Sequence, residues 1–136
     1  MNSEENKVLV RQFVEEVDAE WGSTDYIDRW LTPDFQFHLN GTDMDLAAYR
    51  QGMSTTYGSF ASMPHEILFM IAENDLVTTV MTIHPTHTGE WEGIPPTGRT
   101  VSTAHCVIFR LRDGKLAEEW VVTDKAGLRQ QLEARE

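Results

Sequence analysis

Apolar residues in the first part of the chain recur at helical spacing. Leu9, Val10, Phe13, Val14, Val17 and Trp21 fall on one face, behind Ser3 as a cap and Glu4 and Glu5 in a first turn. This predicts a helix ending near Gly22. A second, short helix follows a cap at Ser23 or Thr24, buries Tyr26, Ile27, Trp30 and Leu31, and is stopped by Pro33. From Phe35 to Gly41 the period changes to two, with Phe35, Phe37 and Leu39 against Gln36, His38 and Asn40, the mark of a short strand. A third helix spans roughly Asp45 to Phe60, with Leu46, Tyr49, Met53, Tyr57 and Phe60 as its stripe.

Beyond Pro64 the pattern is strand: Ile67 to Ala72, Leu76 to His84, Arg99 to Arg112, and Lys115 to Thr123, the last two joined by an Asp113-Gly114 hairpin turn. Asp124 to Glu136 reads as a closing helix with Leu128 and Leu132 inward. Helices first and a meander of strands after give an α+β fold, one curved antiparallel sheet with helices on its concave side, in a single domain over residues 1–136.

The hairpin turn allows side chains to be assigned to faces. With Arg112 opposite Lys115 and no bulge, His105 pairs with Val122 and Thr103 with Asp124. One heavily apolar face then carries Thr103, His105, Val107, Phe109, Leu111, Leu116, Glu118, Trp120, Val122 and Asp124. Asp124 and His105 become diagonal neighbours on it. A carboxyl desolvated there would carry a proton near neutral pH, with an imidazole to hold the other end of the transfer. A β-bulge between them would break this parity. Asp124 also stands where a cap for the closing helix is wanted.

Charge narrows the partners. Eleven Lys and Arg against 22 Asp and Glu leave a net charge of −11, which repels phosphate backbones and anionic lipids, so neither nucleic acid nor membrane is expected. No apolar run is long enough to span a bilayer, and the acidic start MNSEENKVLV is unlike a signal peptide, so a cytoplasmic protein is expected. Cys106 is the only cysteine, and its parity turns it from the apolar face. His84 and His87 point to opposite sides of a strand, and no metal-binding spacing occurs, so no metal is expected.

The segments Thr86 to Arg99 (THTGEWEGIPPTGR), Phe109 to Trp120 (FRLRDGKLAEEW), Asp124 and Gly127 to Leu132 resemble the SnoaL-like polyketide cyclase (ester cyclase-like) family. The likeness runs from about Lys7 to Leu132 and includes Pro33-Asp34-Phe35 and His38. It implies the cone fold of the nuclear transport factors, an aldol-type cyclisation or isomerisation of a small hydrophobic carbonyl compound, and no metal or organic cofactor. By carry-over, Asp124 is the general acid/base; His105, its neighbour on the apolar face, and His38 are expected to position or polarise the carbonyl. Trp91, Trp120, Phe109, Val107, Met81 and His84 surround the ligand. A homodimer through the outer sheet face is expected from the same likeness. Two alternatives stay open: hydration in the same pocket, as in epoxide hydrolases of similar fold, and a non-catalytic binding or dimerisation module.

Overall fold

A computed structural model describes residues 2–135. The ends of the predicted domain and closing helix, Met1 and Glu136, lie outside the described residues. Helix α1 (Ser3–Ala19) is capped one residue earlier than predicted, by Asn2, whose side chain accepts from the Glu5 amide. Its stripe of Val10, Phe13, Val14 and Val17 is buried. Helix α2 (Tyr26–Trp30) stops three residues short of Pro33, because the chain is already extended at Leu31. Strand β1 (Leu31–Leu39) therefore includes Pro33, whose exposed position leaves no ladder bond broken by the missing amide hydrogen.

Asn40 and Gly41, both at positive φ, turn the chain into β2 (Thr42–Asp45), a strand the sequence reading did not draw. Helix α3 (Leu46–Ser59) is capped by Asp45. There follow β3 (Phe60–Ser62), β4 (His65–Glu73), β5 (Leu76–Ile83), β6 (Thr86–His87), β7 (Thr103–Arg112), β8 (Lys115–Thr123) and α4 (Lys125–Glu133). The predicted Arg99 start of the long strand moves to Thr103, since residues 99–102 are loop. Asp113 and Gly114 both sit at positive φ, as a two-residue hairpin turn of matching twist requires.

The main sheet has six strands in the order β2-β1-β8-β7-β5-β4. It is mixed, not purely antiparallel as predicted. Strand β1 runs parallel to β8, with Phe37 beside Glu119 and Leu39 beside Val121, and every other neighbouring pair is antiparallel. A parallel pair of this kind joins elements far apart in sequence, so local pattern carries no sign of it. Helix α1 lies across β4 and β5, and α3 across β1 and β2, closing the concave side. Among the described residues no helix is long and apolar enough to cross a membrane.

Between the third helix and the strands, the chain from Thr88 to Ile94 is fastened against the end of α3. The amides of Thr88 and Gly89 both donate to the Ser59 carbonyl at 3.0 Å, and the buried Ser59 hydroxyl donates to the Glu90 carbonyl at 2.7 Å. Trp91 then packs near Phe60, with ring centroids 6.0 Å apart, and the Arg129 guanidinium of α4 lies over the Trp91 ring.

Candidate active site

A single extra residue decides what faces the interior. Leu111 pairs with Leu116 and Arg110 with Glu118, so Ala117 is a β-bulge. Past it the faces of β8 are exchanged relative to an uninterrupted ladder. Phe109 stands opposite Glu119, Val107 opposite Val121, and His105 opposite Thr123. The predicted pairings of His105 with Val122 and of Thr103 with Asp124 are thereby corrected. Glu119, Val121 and Thr123 look inward, while Glu118, Trp120 and Val122 look out.

The interior holds an apolar cavity of about 610 Å³. Helix α1 contributes Phe13, Val14 and Val17; β1 contributes Phe37 and Leu39; α3 contributes Tyr49 and Met53. The strand wall is made of Met81, Ile83, His105, Val107, Phe109, Glu119, Val121 and Thr123, and Trp91 and Leu128 close the remaining side. The volume lies inside the range of sites that enclose a small organic ligand.

Glu119 is the one buried acid on this wall among the described residues. It is 4% exposed, flanked in register by Phe37 and Phe109, and its Oε2 has no hydrogen-bond partner. Loss of hydration penalises the charged form, and this burial pushes the carboxyl up from its ordinary 4.5 to about 8. At neutral pH it therefore carries a proton and is a donor. The hydroxyls of Tyr26 and Tyr49, 2.9 Å apart, are paired with each other, and both phenols are held above their usual range, first of all by burial.

His105 stands on the same wall, four strand positions from Phe109, the partner of Glu119; at about 3.3 Å per residue the two levels are roughly 13 Å apart. Its Nδ1 is 3.0 Å from the Thr123 hydroxyl. Desolvation, with the adjacent His65 adding to it, depresses His105 to about 3, so this ring is neutral across the working range. His65 also lines the cavity, edge-on to His105 with centroids 5.3 Å apart, and is tied to Asp18.

The structure brings together five of the expected site residues: His105, Val107, Phe109, Met81 and Trp91 all line the cavity. Four others are elsewhere. Asp124 is exposed and caps α4, accepting from the Gly127 amide at 2.8 Å. The bulge removes it from the inner face. Trp120, turned out by the same bulge, stacks on His38 at 5.3 Å and lies under Arg110. His38 is on that outer side too, bridging Asp43 at 2.6 Å and Glu118 at 2.7 Å, and both carboxylates hold its imidazole above the ordinary range, Asp43 the more strongly. His84 meets Ser102 and Glu66 away from the cavity.

Glu119 and His65 were missed. The only signal for Glu119 was the adjacent apolar pair Leu116-Ala117, which interrupts the alternation where the extra residue sits. Among the described residues, no group of three or more His, Cys, Asp or Glu is placed to hold a metal ion.

Several solved structures share the fold. AclR of Streptomyces galilaeus, a candidate hydroxylase, superposes with a TM-score of 0.86 at 28% identity, covering 96% of this chain and 97% of that one. IdmH of Streptomyces antibioticus, a candidate polyketide cyclase, gives 0.82 at 24% over 95% and 99%. A SnoaL-like polyketide cyclase candidate from Jannaschia sp. CCS1 gives 0.85 at 18% over 98% and 95%. The latter two identities speak for the fold alone. Among curated proteins none matches. The model of the SnoaL-like polyketide cyclase family matches residues 8–132, nearly the whole sequence, and the chain belongs to that family.

Proposed function

We propose that this protein is an acid/base enzyme that uses no cofactor and acts on a small, largely apolar carbonyl compound, cyclising it by aldol-type addition or isomerising it through an enolate. One observation carries the reading: a buried carboxyl with an unpartnered oxygen, its pKa raised by desolvation, on the wall of a largely apolar cavity. A neutral carboxyl in such a place serves to donate a hydrogen bond to a carbonyl oxygen, and then a proton as charge gathers there. The level of His105 lies roughly 13 Å along the strands from that of Glu119, and His65 is in register with Thr103, two positions further, so the oxygen and the acidic C–H sit apart on the ligand and communicate through conjugation. A flat, conjugated substrate satisfies this. Asp124 has no role in the reaction on this reading.

Anthrone is a suitable probe, since its carbonyl oxygen and acidic CH2 lie on opposite sides of one conjugated ring. Wild-type protein is expected to accelerate exchange of the C10 hydrogens for deuterium in anaerobic D2O, read by proton NMR. Glu119→Gln should lower the enzymatic rate by about 10²-fold or more, with anthrone affinity little changed, whereas Asp124→Asn should leave the rate nearly intact. Wild-type exchange no faster than buffer would sink the reading in favour of a binding module.

The outer sheet face supports a second assignment, a homodimer. Val122, Cys106, Val80 and Phe69 form one row in register across four strands, and Ile108 and Ile71 belong to the next row. Val122 is 68% exposed and Phe69 52%. Contiguous apolar surface on a sheet face calls for a cover, and a second copy related by a twofold axis supplies the same rows. Replacing both Val122 and Phe69 with Lys is expected to convert a dimer to monomer in light scattering. A wild-type protein that is already monomeric at micromolar concentration would overturn the assignment.

A further inference from the structure

Two imidazoles meet on the cavity wall, and their partners differ. The Nδ1 of His65 is 2.7 Å from Oδ1 of Asp18, and the His65 backbone amide donates to Oδ2 of the same carboxylate at 2.8 Å. Both oxygens of Asp18 are thus engaged by one residue, which fixes the carboxylate against the ring. With its Nδ1 hydrogen given to a carboxylate, the ring keeps its Nε2 lone pair for another partner. That nitrogen belongs to a side chain that is 14% exposed and lines the cavity. His105 has only the Thr123 hydroxyl at its Nδ1.

The groups facing the pair are few. Asp18 comes from α1, His105 from β7, and the strand partner of His65 on β5 is the apolar Ile83. Glu66, next in sequence, points to the opposite side, where it meets His84. Two imidazoles with centroids 5.3 Å apart repel when both are charged, so one added proton is what the pair accommodates. Of the two rings, only that of His65 stands against a carboxylate.

Resting on the acid/base reading above, we propose that the Asp18–His65 pair is the proton acceptor of this cavity, with Asp18 as a positioning residue and His105 as a neutral hydrogen-bonding neighbour. The Nε2 of His65 takes the proton from the ligand's carbon, and the electron pair of the broken C–H bond moves through the conjugated system to the oxygen. That oxygen receives the Glu119 proton. In an isomerisation His65 then returns its proton to a different carbon, and Glu119 recovers its own from the oxygen, so the enzyme ends unchanged. Thr123 and His105 fix the level at which the ligand's edge stops.

The test again uses anthrone exchange in anaerobic D2O, now across pH, with Asp18→Asn, His65→Gln and His105→Gln. Asp18→Asn is nearly isosteric, and circular dichroism confirms that each variant is folded. The expected result is a loss of about 30-fold or more in the enzymatic rate for Asp18→Asn and for His65→Gln, with a changed pH profile in Asp18→Asn, and a smaller loss with an unchanged pH profile for His105→Gln. Loss confined to His105→Gln would overturn the assignment while leaving the function of Glu119 standing. Should wild type fail to accelerate exchange, the functional reading falls first. The pair is then judged by nitrogen NMR of the two rings: a His65 ring carrying its hydrogen on Nδ1, a preference lost in Asp18→Asn, supports it, and a wild-type His65 carrying it on Nε2 overturns it.

Discussion

Glu119→Gln is expected to be more stable than wild type at pH 9, and the two proteins to converge near pH 4. The folded-state carboxyl titrates at about 8 against an ordinary 4.5, so between those values the folded chain holds a proton that the unfolded chain has lost. Unfolding then releases a proton, and stability falls as pH rises through this window. With about 1.4 kcal/mol per unit of displacement, the loss is on the order of 5 kcal/mol once pH exceeds 8. Glutamine fills the same space without ionising, so its curve lacks this slope. The difference between the two proteins isolates Glu119, because the raised imidazole of His38, which also loses stabilisation as pH rises, is common to both. Urea melts at several pH values measure it. Parallel curves for the two proteins would mean that the carboxyl is hydrated and the proposed donor is absent.

Gly89→Ala should be among the most damaging single substitutions in the chain. A Cβ at Gly89 would lie 1.9 Å from the Gly58 carbonyl oxygen, less than any tolerated contact, and the obstacle is backbone at the end of α3. Neither side yields easily, since the Gly89 amide is bonded to the Ser59 carbonyl and Ser59 is itself buried. The expected cost is about 3 kcal/mol or more, a drop in Tm of roughly 10 °C. Because Trp91 follows two residues later and lines the cavity, binding of anthrone should weaken in parallel. Gly58→Ala is the matched control. Its Cβ would meet open space within α3, and the exchange of glycine for alanine in a helix should be neutral or stabilising by about 0.5–1 kcal/mol. Equal effects at the two glycines would show that the close approach is not what holds the loop.

Much of the architecture was readable because it is locally encoded. The i, i+4 stripe of α1, the Asp113-Gly114 turn and the Thr- and Val-rich run of β5 each state their structure within a few residues. The inner side of β7 followed from strand alternation, which is why Val107, Phe109 and His105 were placed on the cavity. The face of β8 was not recoverable by counting from the turn. Parity is inherited residue by residue, and Ala117 spends one residue without advancing the ladder, so every side chain after it is assigned to the wrong side. Asp124 and Trp120 were misplaced for that one reason, and Glu119 was passed over for it. His65 was invisible for a different one: its partner Asp18 lies 47 residues away, on a helix whose approach to β4 no local pattern specifies.

The outward turn of β8 after Ala117 also sorts the indoles. Trp21 and Trp91 border the cavity, Trp30 is packed edge-on against Phe13 in the core, and Trp120 lies on the outer sheet face beneath Arg110. Intrinsic fluorescence therefore has separate reporters for the two events that matter to this molecule. Quenching that disappears on replacing Trp91 by Phe follows the filling of the interior, and quenching that disappears on replacing Trp120 by Phe follows the covering of the sheet, so ligand uptake and subunit association can be titrated apart without an attached dye.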